Sequence, residues 1–195
     1  MRSLRRTLAL HGGALATALG LSLTLGSGTA QAVTINPGGP FTATSSGTVT
    51  FGTSPATITC SSSVMAGNFL PSPIGSTVGT LSPTSFSGCT LGPGIPLSLT
   101  VLQPWKVNLT SVSPTNPNQF FGNVSDISLR ATGVGCSIAL SGISLITWTN
   151  PNSLKFTGAG TTLTVSSASC LGLVTAGSVL PFSASYTVAP SQIIT

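Results

Sequence analysis

Apolar and polar residues alternate along much of this chain, and the polar partner is most often serine or threonine. Leu97, Leu99 and Val101, for example, are separated by Ser98 and Thr100. The same spacing recurs in several segments, which are 97–101, 105–109, 127–131, 145–149, 163–165 and 182–188. A period of two places alternate side chains on one face of a β-strand, whereas an amphipathic helix needs a period of about 3.6. The pattern therefore predicts half-buried strands and no helical core.

Clusters of proline, glycine and asparagine divide these segments. Clear breaks occur at 37–40, 92–94, 114–118 and 150–152. Short strands separated by regular breaks are typical of a sandwich or a barrel. About ten strand-forming segments favour two packed antiparallel sheets, and a closed barrel is the alternative that periodicity does not separate from them. We predict an all-β protein with the architecture of an antiparallel β-sandwich.

The first 32 residues have the layout of an export signal. Three arginines near the start precede an apolar stretch over about 14–25, and the segment ends in Ala30-Gln31-Ala32. This order is that of a cleaved signal peptide. The apolar stretch is also short beside the roughly 20 residues of a membrane-spanning helix. We predict a helical signal peptide over 1–32, a single β-sandwich domain over 33–195, and no stable transmembrane anchor. The pair Arg5-Arg6 leaves the general and the twin-arginine export routes both open.

Removal of the signal leaves a chain with very few ionisable groups. The charged side chains that remain are Lys106, Asp126, Arg130 and Lys155, a net charge of +2, and His11 leaves with the signal. No basic cluster remains that would neutralise several phosphates, so nucleic acid is excluded as a partner class. Disorder is not expected either, because disordered chains combine low hydrophobicity with high net charge. This chain is 41% hydrophobic and 4% charged.

The same scarcity bears on catalysis. Most hydrolytic mechanisms need groups that exchange protons near neutral pH. Beyond the signal there is no histidine and no glutamate, which excludes a Ser-His-Asp triad and a pair of side-chain carboxylates. A Ser–Lys dyad built on Lys106 or Lys155 is the remaining catalytic alternative. We expect a protein that is not an enzyme and that needs no cofactor.

Four cysteines lie in the part that is predicted to be exported. They are Cys60, Cys89, Cys136 and Cys170. An even number in an oxidising compartment predicts two disulfide bonds. Three pairings are possible, and we favour the sequential one because local loops close most readily. No C-x-x-C pair is present, so no metal site is expected. Loose similarity between the segments around the two pairs raises a doubling into two related halves.

Three aromatic residues and the lone acidic residue are the candidate ligand-binding residues. Trp105, Trp148 and Tyr186 carry flat faces that could bind a sugar, although packing between the sheets is the favoured interpretation. Trp148 comes just before a turn, which predicts a position near the rim. Asp126 is expected on a polar face, where it pairs with one of the three cations, and a ligand role is the alternative.

Several short motifs follow one another in a characteristic order. They are the Cys60–Cys89 segment, Pro104-Trp105-Lys106, Gly135-Cys136, Trp148-Thr149-Asn150, Cys170-Leu171-Gly172-Leu173 and the tail over 186–193. In this layout the chain resembles a group of small, uncharacterised secreted all-β proteins of actinobacteria. The resemblance implies secretion and an all-β fold, and it carries over no catalytic residues.

Together these observations favour a secreted, non-catalytic, disulfide-stapled structural or interaction protein that acts at or outside the cell surface. A carbohydrate- or cell-envelope-binding module is one alternative, with a cell-wall polysaccharide as its partner. A self-assembling or pore-forming β protein is another, because alternation with almost no charge suits a lumen and a lipid face and favours self-association. The apolar runs, however, are short beside the roughly 10 residues of a membrane-spanning strand.

Overall fold

A computed structural model of the protein describes residues 32–54, 57–92 and 94–195. The described residues form strands and connecting turns, as the alternation predicts, and the signal segment before Ala32 lies outside them. In chain order the strands are β1 (Ala32–Val33), β2 (Ile35–Asn36), β3 (Gly39–Ser45), β4 (Val49–Phe51), β5 (Ile58–Cys60), β6 (Ser62–Phe69), β7 (Ser72–Pro73), β8 (Thr77–Ser87), β9 (Cys89–Leu91), β10 (Ile95–Val101), β11 (Trp105–Val112), β12 (Gln119–Gly133), β13 (Cys136–Thr149), β14 (Ser153–Thr157), β15 (Thr164–Cys170), β16 (Phe182–Ala189) and β17 (Ile193–Ile194). Among the described residues, no helix is both long enough and apolar enough to cross a membrane.

Thirteen of these strands form one continuous antiparallel ladder. Its order is β15-β13-β14-β16-β3-β6-β8-β11-β12-β10-β9-β5-β4. Two additional pairings, β12 with β13 and β16 with β4, return the ladder onto itself. The all-β, antiparallel and sandwich-like fold predicted from the sequence is therefore confirmed, with its strands joined in a single closed ladder.

Long, bent strands make this continuity possible. β12 and β13 are 15 and 14 residues long, which corrects the expectation of short strands. β12 pairs with β11 through its first half and with β10 through its second half. Its register against β13 shifts between Val124 and Ile127, and such bulges bend a strand and increase its twist. The shift also reverses the phase of the alternation, which is why the pattern indicated only a short run at 127–131.

The interior is filled by rings from strands that lie opposite each other in the closed part of the ladder. Phe69 of β6 meets Trp148 of β13 with 5.5 Å between ring centroids, and Trp105 of β11 meets Phe182 of β16 at 6.2 Å. Both pairs meet edge to face, an arrangement that aromatic rings prefer over a face-to-face sandwich. Serine and threonine alternate with these inward residues and cover much of the outer surface.

The two halves of the chain are interleaved in this ladder rather than folded apart. β16, near the C-terminus, pairs with β4 through Phe182 and Ser183 and with β3 through residues 186–189. A separate short ladder of β2 and β17 pairs Ile35 with Ile194. Strands from the beginning and from the end of the chain are therefore paired with each other, and the doubling noted in the sequence does not correspond to two structural units.

Candidate functional site

Both disulfide bonds predicted from the cysteine order are confirmed. Cys60 is bonded to Cys89, and Cys136 to Cys170. Cys136 and Cys170 are direct partners in the ladder of β13 and β15, and the register of β5 against β9 places Cys60 opposite Cys89 in the same way. Each bond therefore staples two neighbouring strands. Among the described residues, no three potential metal ligands of the His, Cys, Asp or Glu type come together.

The three aromatic candidates for ligand binding lie in the core. Trp105, Trp148 and Tyr186 are at most 2% exposed. Phe156 packs edge to face against Tyr186, and the two tryptophans meet phenylalanines in the same manner. None of the three rings offers a face to a ligand. The interpretation that these three rings pack in the interior therefore agrees with the structure. The alternative, that they form a sugar-stacking face, is wrong.

Trp148 is covered although it lies next to a turn. Its Nε1 donates a hydrogen bond to Asn150 Oδ1 over 2.9 Å. The backbone N–H of Ile194 donates to the same oxygen, and Asn150 Nδ2 donates to the Ile194 carbonyl. Asn150 thus ties the C-terminal strand to the end of β13. The expected rim position is buried because a segment distant in sequence is held beside it.

The hydroxyl of Tyr186 is buried, and its pKa differs from that of an exposed tyrosine. Burial raises the pKa of the Tyr186 hydroxyl above its usual value of 10.0, and the nearby Ser63 hydroxyl opposes this only in part. Neither hydroxyl finds a hydrogen-bond partner of acceptable geometry among the described residues. A phenol in this state does not exchange a proton near neutral pH.

Asp126 pairs with Lys106, one of the three partners that the sequence offered. Lys106 Nζ lies 2.8 Å from Asp126 Oδ2, and both side chains are exposed. The hydrogen bond to Asp126, followed by the attraction between the charges, raises the pKa of Lys106. Lys106 is therefore poorly suited to act as the general base of a Ser–Lys dyad. Asp126 sits at the bulge of β12 with φ of 57°, a conformation that Asp and Asn adopt more readily than most residues.

A cleft of about 570 Å³ opens on the outer surface where β16 changes partners. β16 is paired with β4 at Ser183 and with β3 at Tyr186, opposite Thr50 and Ser45. The three residue steps from Ser183 to Tyr186 on β16 thus lie opposite the five steps from Ser45 to Thr50, which connect β3 to β4. The extra residues of this connection project from the ladder. The backbone N–H of Ser46 still donates to the Ser185 carbonyl over 2.9 Å, which anchors this wall of the cleft.

The cleft is lined by hydroxyl groups and one cation. Lys155 of β14 is the partner of Ser185 in the ladder. The hydroxyl-bearing residues of the lining are Ser46, Thr48, Thr50, Thr157, Ser183 and Ser185. The only acidic side chain in the sequence is that of Asp126, and it is engaged by Lys106. The chain therefore has no second side-chain carboxylate that could form an ion pair with Lys155.

A second depression, of about 300 Å³, lies on the same outer surface. Phe121 of β12 and Leu145 of β13 contribute its apolar side chains, and they are 37% and 40% exposed. Thr157 lines both this depression and the cleft, so the two cavities adjoin at that residue.

Sequence reasoning missed Phe121 and considered Lys155 only as a base or as a possible partner of Asp126. A signal for Phe121 was present in the dipeptide Phe120-Phe121, because adjacent residues of a strand face opposite sides and one ring must point outward. Phe120 is buried, and Phe121 is the residue that faces outward.

Comparison of the chain with protein-family models, with curated proteins and with solved structures found no significant match. The cleft and the depression are therefore the features of the protein that bear on its function.

Proposed function

We propose that the protein is exported and acts at or outside the cell surface as a non-catalytic, disulfide-stapled interaction module. The observation that carries this proposal is the adjoining cleft and depression on the outer sheet surface. They lie on paired strands with a packed aromatic interior beneath, so the surface is formed before any partner arrives. A preformed surface loses less conformational freedom on binding than a mobile loop does.

The two disulfide bonds support an extracellular location. Such bonds persist in oxidising compartments and are rare where thiols are kept reduced. Both bonds are buried and join neighbouring strands near the two ends of the long ladder. This placement is compatible with a β protein that is stabilised for life outside the cell.

The placement of the ionisable groups favours a non-catalytic role. Within the described residues, the one ion pair is that of Lys106 and Asp126, and it lies exposed on the surface. Lys155 lines the cleft among hydroxyl groups, and Arg130 lies on β12 opposite Thr100 and Ala139. General acid–base catalysis by a pair of side chains needs a second ionisable group beside the first, and Lys155 is the only ionisable side chain among the residues that line the cleft.

Fractionation of the producing cells tests the location and the partner class. We expect a mature form of the protein that begins at Val33, and we expect it in the medium and in the cell-wall fraction. Purified mature protein should also sediment with isolated cell walls. A protein that keeps its first 32 residues and stays inside the cell would contradict the proposal.

A screen with ester, peptide and glycoside substrates tests the non-catalytic part. No turnover is expected above that of a heat-denatured sample. Turnover that disappears in Lys155→Ala but not in Arg130→Ala would instead identify the cleft as an active site.

Self-association is a second candidate, and one feature of the surface favours it. Val134 and Leu171 are 87% and 76% exposed, and they flank the Cys136–Cys170 bond in sequence. Low net charge weakens repulsion between copies. Sedimentation velocity should then show a concentration-dependent oligomer that is lost in Val134→Ser/Leu171→Asn. A monomer at all concentrations would exclude this candidate.

A further inference from the structure

We propose that the cleft at Lys155 and the depression at Phe121 form one groove that binds an anionic polysaccharide. The groove is called the outer groove here, and its defining residues are Phe121, Leu145, Thr157, Lys155 and Ser185. The inference rests on the proposed function and deepens it, since it names the ligand class and the residues that recognise it.

The ladder register shows that the outer groove runs across the strands. Phe121 is the partner of Thr147, Thr147 of Lys155, and Lys155 of Ser185. Ser46, whose N–H donates to the Ser185 carbonyl, continues this row. With about 4.8 Å between neighbouring strands, the four steps of the row cover roughly 19 Å. An extended chain of several sugar rings fits along such a row better than a single small molecule.

A second row runs beside the first and completes the floor of the groove. Thr157 is the partner of Ser183, and Ser183 is the partner of Thr50. Leu145 precedes Ile146, the partner of Phe156, so Leu145 lies level with Thr157. The second row therefore resembles the first, because each has one exposed apolar side chain on β12 or β13, Phe121 in the first row and Leu145 in the second, and hydroxyl-bearing residues at and beyond β16.

The Phe121 end suits the apolar face of a sugar ring. Phe121 is the one aromatic side chain among the exposed large hydrophobic residues of the described part. Leu145 extends this apolar surface, and Thr147 and Thr157 place hydroxyl groups beside it. Binding sites of this kind combine an apolar surface with a few polar groups that fix the orientation of the ligand.

The Lys155 end suits hydroxyl groups and an acidic group. Serine and threonine hydroxyls both donate and accept hydrogen bonds, as sugar hydroxyls do, and six such residues line the cleft. The ammonium group of a lysine adds three donors and a point charge that binds carboxylate or phosphate. Hydroxyls alone would accept a neutral glycan, and Lys155 adds the preference for an acidic one.

The charges of the chain favour an anionic ligand further. Lys106 engages the single Asp126 carboxylate, and neither residue lines the cleft or the depression. An acidic polymer in the outer groove therefore meets Lys155 without a neighbouring side-chain carboxylate that would repel it.

Isothermal titration calorimetry on the mature, disulfide-bonded protein tests the inference. The probes are polygalacturonate, which carries carboxylates, poly(glycerol phosphate), which carries phosphates, neutral dextran, and inorganic phosphate. We expect binding to at least one of the two anionic polymers, weaker binding to dextran, and none to inorganic phosphate. Binding should weaken as salt is raised from about 0.05 M to about 0.5 M, because salt screens the contribution of Lys155.

Three variants locate the binding site, and a fourth provides the control. Lys155→Gln should weaken binding about fivefold, and Lys155→Arg should largely retain it. Phe121→Ala should weaken binding about tenfold through loss of the apolar platform. Arg130→Gln is the matched control, because it removes an exposed cation of β12 that lines neither cavity, and it should change affinity less than about twofold. Unchanged melting temperatures establish that each variant is folded.

The possible failures are distinguishable from one another. Equal loss of affinity in Arg130→Gln and Lys155→Gln would mean general charge attraction and would overturn the outer groove. Equal affinity for dextran and the acidic polymers, unaffected by Lys155→Gln, would overturn the anionic class. Absence of binding to all four probes overturns the inference as well. If the protein still sediments with cell walls in these cases, the interaction module stands and only the groove assignment fails.

Discussion

The indole N–H of Trp148 donates to Asn150 Oδ1 over 2.9 Å. Trp105 is equally buried, but its indole nitrogen has no hydrogen-bond partner among the described residues. The two tryptophans can therefore be compared directly, because Trp148 contributes both packing and a hydrogen bond, whereas Trp105 contributes packing alone.

We expect Trp148→Phe to destabilise the protein by about 1 kcal/mol more than Trp105→Phe does, which is the usual net contribution of one hydrogen bond. Both substitutions lose a similar volume, so the cavity cost largely cancels in the difference. Urea unfolding curves of the two variants measure it. Equal destabilisation would show that the bond to Asn150 contributes nothing.

The single tyrosine provides a direct test of burial. Because burial raises the pKa of Tyr186, the folded phenol should stay protonated above pH 10, where an unfolded tyrosine ionises. Its phenolate absorbance should therefore rise only as the protein unfolds. Below about pH 10 this group leaves stability unchanged, and above it the unfolding equilibrium constant should rise by up to tenfold per pH unit.

Tyr186→Phe is the control for this pH dependence. Lys106 titrates in the same alkaline range, since its ion pair with Asp126 raises its pKa, so only the difference between wild type and variant isolates the tyrosine. At neutral pH the variant should be at least as stable as the wild type, because the removed hydroxyl has no hydrogen-bond partner. A strongly destabilised Tyr186→Phe would contradict this account.

The two disulfide bonds should contribute almost equally to stability. Their sequence separations are 29 and 34 residues, and loop-closure entropy depends only on the logarithm of loop length. Cys60→Ala/Cys89→Ala and Cys136→Ala/Cys170→Ala should each cost about 3–4 kcal/mol. Guanidinium unfolding of the two double variants measures both costs, and a large difference between them would show that one bridge acts mainly on the native state.

The bulge of β12 should tolerate only certain residues at position 126. Asp126 has φ of 57°, which asparagine also adopts readily and a β-branched residue does not. Asp126→Asn should therefore leave the melting temperature nearly unchanged, whereas Asp126→Val should destabilise the protein by about 1–3 kcal/mol. Equal destabilisation of both variants would show instead that loss of the ion pair with Lys106, and not the backbone conformation, dominates at this site.

The contacts of the candidate residues differ in how far the sequence predicts them. The cysteine pairing was predictable because short loops close more readily than long ones. The sequence predicted that Asp126 pairs with one of three cations, Lys106, Arg130 or Lys155. The choice of Lys106 depends on the ladder of β11 against β12, where Lys106 is the partner of Ser125. The groove at Phe121 and Lys155 was not predictable, because its rows join strands that are separated in sequence.

The sequence by itself determined that the chain forms antiparallel strands with serine and threonine on the outside, since a period of two is a local property of each segment. It also favoured the sequential pairing of the four cysteines, which the structure confirms. Only the tertiary structure decided which aromatic rings are covered. Alternation shows that neighbours such as Phe120 and Phe121 face opposite sides, but the inward side depends on which distant strands pack against them. The bulge at Asp126 and the change of partners along β16 likewise belong to the bending that closes the ladder, which no local segment determines.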